Sequence, residues 1–285
     1  DLIIQTRVGE VKEAKPYCYQ VDESGKRTEV KCNYVVSGQK VYFKLGSYNI
    51  SKPLIIDPSI EFSSFTGSAA DNWGYTATPG PDGSFFAGGV VFDVGYPVST
   101  GAFQTTYNGG EDEISYYPPP NSNQYLELPG HDIAIFKFSP DGYRRLYATY
   151  LGGSRNEQPH SMICDAQGNL IIAGRTSSSN YPVTRTIGPC GGYDIFVSKL
   201  NASGTAIIGS VRIGGSQNDG INIRSKYAAP NGPDRIRRYY GDDARSEVIL
   251  DQASNIILAS CTQSSDFPTV GVSLNTTGGY GGGFQ

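Results

Sequence analysis

The chain has 285 residues, of which 36 are glycine and 17 are proline, and only 18% are charged. Glycine and proline interrupt helices and supply tight turns, so this composition predicts many short strands and an all-β fold. The net charge of −4 gives no overall attraction toward nucleic acid or an anionic membrane, and no apolar run reaches the roughly 20 residues of a membrane-spanning helix. The chain starts at Asp1 without an initiator methionine or signal-like segment, which indicates a processed product or a piece of a longer polypeptide.

Residues 1–56 are expected to form a small β-rich domain that is truncated. Cys18 and Cys32 lie seven residues to either side of Gly25, so antiparallel strands joined through this turn place them opposite each other. This arrangement favours a disulfide and an oxidising compartment, and the alternative is two unpaired cysteines in the core. The remaining cysteines, whose spacing fits no zinc site and whose pairing stays open, are Cys164, Cys190 and Cys261.

Residues 57–285 contain three copies of one pattern. Each copy starts with a strand that ends in glycine and is followed by a turn with acidic or amide residues. Later in the copy, an apolar strand is followed by small residues and an aromatic–proline pair. The glycines are Gly67, Gly152 and Gly214, and the pairs are Tyr96-Pro97, Tyr181-Pro182 and Phe267-Pro268, which lie 85 and then 86 residues apart. Four short strands per copy, with continuous apolar runs such as "LIIA", predict four-stranded antiparallel β-propeller blades over 57–142, 143–205 and 206–285. The predicted ring is incomplete, because propellers have about four to eight blades.

Several stretches carry a resemblance to a known family. "LIIDPSIEFSSFTGS", "QGNLIIAGRTSSSNYPV" and "YDIFVSKLNASG" resemble the SBBP family, which comprises β-propeller repeat proteins on the surface of Gram-negative gliding bacteria and elsewhere. "KPYCYQVDESGKRTEVKCNYVVSGQKVYFKLGSYNISKPLIIDP" is similar to the β-rich domain that commonly precedes those repeats. The resemblance covers residues 8–285 and implies a large exported protein, often a substrate of the type IX secretion route.

Two long insertions interrupt the repeats, and we expect them to contact a protein partner or a surface glycan. The first, 111–130, carries four carboxylates and no basic residue, whereas the second, 222–245, carries six basic residues against three aspartates. Tyrosine and arginine commonly anchor interfaces, and recognition is commonly built on loops. The candidate contact residues are Tyr116, Tyr117, Tyr125, Arg235, Arg237, Arg238, Tyr239 and Tyr240. The alternatives are solvated loops or loops that contact each other; nucleic acid is not expected, because Asp242 and Asp243 offset the short basic run.

The sequence offers no recognisable catalytic or cofactor site. The only histidines, His131 and His160, fall at scaffold positions of the repeats, and no G-x-S-x-G motif is present. Acidic turns after "GGS" supply one or two carboxylates each, which favours a turn over a calcium cage, so we assign no cofactor and keep calcium as the alternative.

Together these patterns predict a non-enzymatic binding or structural protein that is extracellular, at the cell surface or associated with the outer membrane. Adhesion, gliding and a secretion-linked outer-membrane assembly are the expected settings. The alternative is a propeller hydrolase or lyase acting on polysaccharide, which would require carboxylates about 5 to 10 Å apart at an open channel mouth. The sequence leaves open the partner's identity, the blade number, the full chain length and the oligomeric state.

Overall fold

The computed structural model describes residues 2–6, 9–38, 40–57, 64–115, 126–221 and 246–270. The chain divides into two compact units, residues 1–63 and residues 64–285, whereas the sequence placed the boundary after residue 56. Every regular element in the described part is a β-strand, which confirms the all-β fold. Within the same residues, no helix has the length and apolar character required to cross a membrane.

The first unit consists of three small sheets. β1 pairs with β2, β3 lies between β4 and β7, and β5 pairs with β6, all antiparallel. A small core of Cys18, Val30 and Cys32, with Leu45 and Leu54 against it, lies in this unit. The strands are β1 (Leu2–Thr6), β2 (Gly9–Glu13), β3 (Tyr17–Val21), β4 (Arg27–Val30), β5 (Cys32–Ser37), β6 (Lys40–Leu45) and β7 (Ile55–Asp57).

The second unit contains the repeats. Its first sheet has the strand order β13-β12-β9-β8, its second β14-β15-β17-β18-β16, and its third pairs β19 with β20; β10 and β11 form a separate hairpin stem. The strands of the first sheet and the stem are β8 (Asn72–Pro79), β9 (Phe85–Val91), β10 (Glu113–Ser115), β11 (Leu126–Leu128), β12 (Asp132–Phe138) and β13 (Arg145–Leu151). The others are β14 (Glu157–Cys164), β15 (Leu170–Thr176), β16 (Arg185–Ile187), β17 (Asp194–Leu200), β18 (Ile207–Ile213), β19 (Ser246–Leu250) and β20 (Ile256–Ser260).

Sheet boundaries fall one strand later than the repeats in the sequence. β13 ends with the "ATYL" run that opens the second predicted repeat, yet it pairs with β12 and completes the first sheet. β18 likewise completes the second sheet, to which β16 adds a fifth, parallel strand. The sheets therefore do not coincide with the ranges 57–142, 143–205 and 206–285. Consecutive repeats share a sheet, which ties them together.

The second insertion interrupts the first strand of the third sheet. An isolated bridge joins Asp219 to Thr262, and the corresponding residues of the second sheet, Glu157 and Thr176, are paired in a continuous ladder. After the insertion, β19 resumes the same pairing with β20. The described residues on both sides of the second insertion, Asp219 and Ser246–Leu250, therefore pair with the same segment of chain.

The three sheets stack face to face in chain order. One core joins the first sheet to the second, and another joins the second sheet to the third. The middle sheet is thus covered on both faces, and Leu170, Ile171, Ile172 and Ala173 of β15 are all fully buried. This explains the continuous apolar run "LIIA", since an exposed face would require alternating polar residues. No sheet closes on itself within the described residues.

The turn between β3 and β4 corrects the expected position of Cys32. The Asp22 side chain accepts hydrogen bonds from the backbone N–H groups of Ser24 (2.9 Å) and Lys26 (3.0 Å), which centres the hairpin at Ser24 rather than Gly25. Cys18 therefore pairs with Val30. Cys32 lies beyond the end of β4, although its side chain still belongs to the same core as that of Cys18.

Cys18 and Cys32 are both reduced and buried in this structure. Burial, with the neighbouring Cys32 side chain as a second cause, raises the pKa of the Cys18 thiol to about 12. The thiolate is the species that forms disulfides, so the folded, reduced protein is expected to oxidise slowly. The predicted disulfide remains a prediction, and it must form before or during folding.

We expect refolding in an oxidised glutathione buffer to link Cys18 to Cys32. A loop of about 15 residues gives a stabilisation of about 3 kcal/mol in the chain-entropy model. Peptide mass spectrometry identifies the link, and chemical unfolding with and without reductant measures its effect. Cys32→Ser should abolish both signals, and Cys164→Ser should leave them unchanged. Recovery of two unlinked thiols after oxidative refolding would contradict the pairing.

Candidate functional site

An aromatic groove lies on the face of the first sheet that points away from the second sheet. It has a volume of about 410 Å³. Tyr75 is 39% exposed at the groove, whereas Trp73 pairs with Val90 and its ring packs edge-on against Phe92, on the opposite face of the sheet from Gly89 and Ala134. The lining residues are Thr66, Asn72, Trp73, Gly74, Tyr75, Thr76, Ala77, Ala87, Gly88, Gly89, Val90, Tyr96, Ala134 and Phe136. Small residues form most of the floor, so the groove results from missing side-chain volume.

The equivalent face of the second sheet is covered. Ala134 pairs with Gly89 in the first sheet, and Phe196 pairs with Gly174 in the second sheet. Each of these glycines ends the apolar strand of its repeat, so Ala134 and Phe196 are at equivalent positions. By the same alignment Tyr96 corresponds to Tyr181. Phe196 and Tyr181 are buried against the first sheet, with ring centroids 4.7 Å apart. The groove therefore occupies the surface through which a repeat packs on the preceding one.

A second feature, a set of hydrogen bonds to buried carboxylates, joins consecutive repeats at their turns. Glu157 accepts hydrogen bonds from Gly153 N (2.8 Å) and Thr176 Oγ1 (2.6 Å). Asp219 accepts from Gly215 N (2.7 Å) and from the Thr262 hydroxyl in the third repeat. These carboxylates satisfy backbone N–H groups that would otherwise be buried without partners.

The small polar residues before each aromatic–proline pair complete the same turns. Ser178 Oγ accepts a hydrogen bond from Arg155 N at 2.8 Å, and Ser264 Oγ accepts one from Gln217 N at 3.0 Å. Asn180 likewise accepts from Ser154 N at 2.9 Å. The repeated motif thus builds the framework. In the described ranges, no group of three or more His, Cys, Asp or Glu side chains is placed to hold a metal ion.

Two buried carboxyl pairs lie beside these turns. Asp132 pairs with Glu157 beside Gly152, and Asp194 pairs with Asp219 beside Gly214. The Oδ1 atoms of Asp132 and Asp194 are buried and have no hydrogen-bond partner among the described residues. Burial is the main cause that raises the pKa of Asp132 to about 8, and the adjacent Glu157 raises it further.

Burial also raises the pKa of Glu157 and of Asp194 to about 7 in each case. The hydrogen bonds from Ser178, Thr176 and Gly153 oppose this change at Glu157, because they favour its charged form. Of the first pair, Asp132 is therefore the group that holds a proton more strongly.

The two insertions enter the repeats at different points, the first between β9 and β12 and the second between Ile221 and β19. Asn156 Nδ2 donates to Glu111 O at 2.8 Å, and Tyr107 donates to Gly130 O at 2.6 Å, so the first insertion starts and ends beside the second repeat's turn. β10 and β11 form its stem. The second insertion begins immediately after Ile221, whose carbonyl accepts from Gln263 Nε2 at 3.1 Å.

The predicted contact residues of the two insertions lie outside the described residues. They are Tyr116, Tyr117, Tyr125, Arg235, Arg237, Arg238, Tyr239 and Tyr240. The groove and the carboxyl pairs were not predicted as sites. A usable signal for the pairs was present, because Asp132 and Asp194 each precede their partner by 25 residues.

The two histidines lie in the framework. His131 Nδ1 lies 3.0 Å from Pro129 O, and its ring packs edge-on against Phe92. Burial lowers the pKa of His160 well below its usual value, and neither ring nitrogen of His160 has a hydrogen-bond partner.

Comparison with known proteins assigns no activity to the chain. The family described as "Domain of unknown function (DUF7948)" matches residues 1–59, which correspond to the first unit through β7. No curated protein matches the chain.

We expect Gly152→Ala to destabilise the protein by about 1–3 kcal/mol, the usual cost of overpacking. A methyl group at this position would overlap Asp132 Oδ1 and lie 2.7 Å from Glu157 Oε2. Gly209→Ala in β18 is the matched control, because its added methyl group has no atom within 4 Å. Chemical unfolding measures both variants, and equal stability of the two would show that the turn is not tightly packed.

Proposed function

We propose that the protein is a non-enzymatic, exported module of the cell surface or outer membrane that binds a protein partner or surface glycan through its two insertions. Adhesion, gliding and a secretion-linked assembly, including one served by the type IX route, fit such a module. The observation that carries the proposal is the attachment of both insertions beside the hydrogen-bonded turns of packed repeats.

The framework around the insertion bases is well suited to presenting loops. Hydrogen bonds from Asn156, Tyr107 and Gln263 hold the chain where each insertion starts or ends. The first insertion is acidic and the second is basic. Loops fixed at their bases bind with a smaller entropic cost, and opposite charges on adjacent loops can select a partner with a matching pattern.

The stack of sheets is proposed to be part of a β-propeller. At one end, the groove face of the first sheet matches the face through which the second sheet packs on the first. At the other end, Ile249 and Ile257 are 51% and 48% exposed. They correspond to Ile163 and Ile171, which pack in the core between the second and third sheets. The two ends thus carry complementary halves of one interface, and the occupant of the groove is a further sheet of this same repeat.

A polysaccharide hydrolase is the competing function. The carboxyl pairs that come together, Asp132 with Glu157 and Asp194 with Asp219, are buried, with exposed fractions of at most 2%. Their oxygens mostly accept hydrogen bonds from turn residues. A glycosidic bond cannot reach such groups, and this favours the binding function.

For this chain alone, the matching sheet is the third sheet of a second copy. We expect self-association at high concentration in analytical ultracentrifugation, with Tyr75→Asp and Ile257→Asp each reducing it at least tenfold. An equimolar mixture of the two variants should recover a dimer, because one intact contact remains. Ile208→Asp, at an exposed position of β18, should have no effect. A monomer at all concentrations, or equal effects of all three variants, would reject this occupant.

Deletion of 111–130 or of 222–245 should reduce binding of the purified chain to cell envelopes of the producing organism at least tenfold. Replacing Arg235, Arg237 and Arg238 with Ser should have a similar effect, while Arg144→Ser with Arg145→Ser, at exposed framework positions, should not. Protease treatment of the envelopes distinguishes a protein receptor from a glycan. Full binding by both deletion variants would refute the proposal, and release of new reducing ends from envelope polysaccharide would favour the hydrolase.

A further inference from the structure

The Asp132–Glu157 pair lies at the junction between the first two sheets. Asp132 is the first residue of β12, and Glu157 is the first residue of β14. Glu157 N donates to His131 O at 3.1 Å, so the two chain segments are also joined through the backbone. Both side chains have no exposed surface. Among the described residues, neither carboxylate forms an ion pair.

Three of the four carboxyl oxygens at this junction have donors. Asp132 Oδ2 accepts from Asn108 N at 2.8 Å, and the two oxygens of Glu157 accept from Thr176 and Gly153. Asp132 Oδ1 has none. It lies beside Gly152 together with Glu157 Oε2. Two adjacent buried negative charges without a cation are strongly unfavourable, whereas a proton on Asp132 Oδ1 can be donated to Glu157.

We propose that Asp132 and Glu157 form a proton-binding site, in which one shared proton joins the first and second repeats and its loss weakens this junction. The inference does not depend on the proposed binding function. It follows from the burial of both groups, the single oxygen without a donor and the absence of an ion pair at either group within the described residues.

The groups that face the pair are mostly neutral. Tyr107 and Asn108 approach the pair from the segment after β9. Thr176, Ser178 and Tyr181 approach it from the end of β15 and the segment that follows. His131 immediately precedes Asp132 in the chain, and Asn156 immediately precedes Glu157. The charged residues near the turn, Arg155 and Glu111, pair with each other at 3.4 Å and are more than half exposed.

The equivalent junction in the next repeat supports this assignment. Asp194 and Asp219 repeat the arrangement, and Asp194 Oδ1 also lacks a donor. There, however, Arg212 Nε lies 3.8 Å from Asp194 Oδ2. Arg212 occupies the position of Tyr150 in the first sheet, as the pairing of Tyr150 with Ala134 and of Arg212 with Phe196 shows. A guanidinium thus supplies at the second junction part of the charge compensation that only a proton supplies at the first.

The direction of the pH effect follows from linkage. Carboxyl groups of an unfolded chain titrate near pH 4, so a site that keeps its proton to higher pH favours the folded state. The stabilisation is fully present below about pH 4 and is lost as the pH rises through the pKa of Asp132, about 8.

The test compares the wild type with Asp132→Asn, Glu157→Gln and the exposed control Asp93→Asn. The measured quantity is the increase in the unfolding equilibrium constant between about pH 5 and about pH 9. We expect this increase to be about tenfold larger in the wild type and in Asp93→Asn than in Asp132→Asn or Glu157→Gln. An amide at either position replaces the shared proton as the donor. Two variants are used because one of them can fail to fold.

Infrared spectroscopy gives a direct reading, since a neutral carboxylic acid and a carboxylate absorb at different frequencies. We expect the wild type near pH 6 to show a buried neutral carboxyl that Asp132→Asn lacks. Absence of this difference, or the same pH dependence in all four proteins, would overturn the proposal. Millimolar calcium that restores stability near pH 9 in the wild type, but not in Asp132→Asn, would also overturn it by identifying the pair as a metal site.

Discussion

The packing of one sheet face against the next is the interaction on which the second unit depends. A single sheet of this unit has apolar residues on both faces, as the fully buried run from Leu170 to Ala173 shows. Such a sheet cannot be stable alone in water, because one apolar face would remain exposed. Each repeat is therefore stabilised by its neighbours, and the faces at the two ends of the stack keep the composition of an interior. The aromatic groove and the exposed Ile249 and Ile257 have this common origin.

The turns between repeats add order to this packing. The small polar residues and glycines of the repeated motif hold the "GGS" turn of one repeat against the aromatic–proline turn through Glu157 or Asp219. A glycine is required beside each carboxyl pair because a side chain would overlap it. The motif is thus explained by packing and hydrogen bonding.

Sequence reasoning found the features that depend on short, local patterns. The all-β fold follows from turn residues and apolar runs, and the buried β15 strand was visible as "LIIA". The assignment of β13 to the first sheet was not visible, because a repeat period fixes the order of strands but not which neighbour each strand pairs with. The position of Cys32 was missed for a similar reason, since the Asp22 side chain shifts the turn by hydrogen bonds that the spacing around Gly25 does not reveal. The groove was missed because its lining comes from β8, β9 and β12, which meet only in the folded sheet.

The junctions and the insertions occupy the same part of the molecule. Asn156, which holds the start of the first insertion, immediately precedes Glu157, and the second insertion starts three residues after Asp219. The carboxyl pair of each junction therefore lies close to the base of one insertion. Because Arg212 compensates charge at only one of the two junctions, the bases of the two insertions differ in their electrostatic support. Repeats of similar backbone structure can in this way hold their inserted loops with different sensitivity to pH.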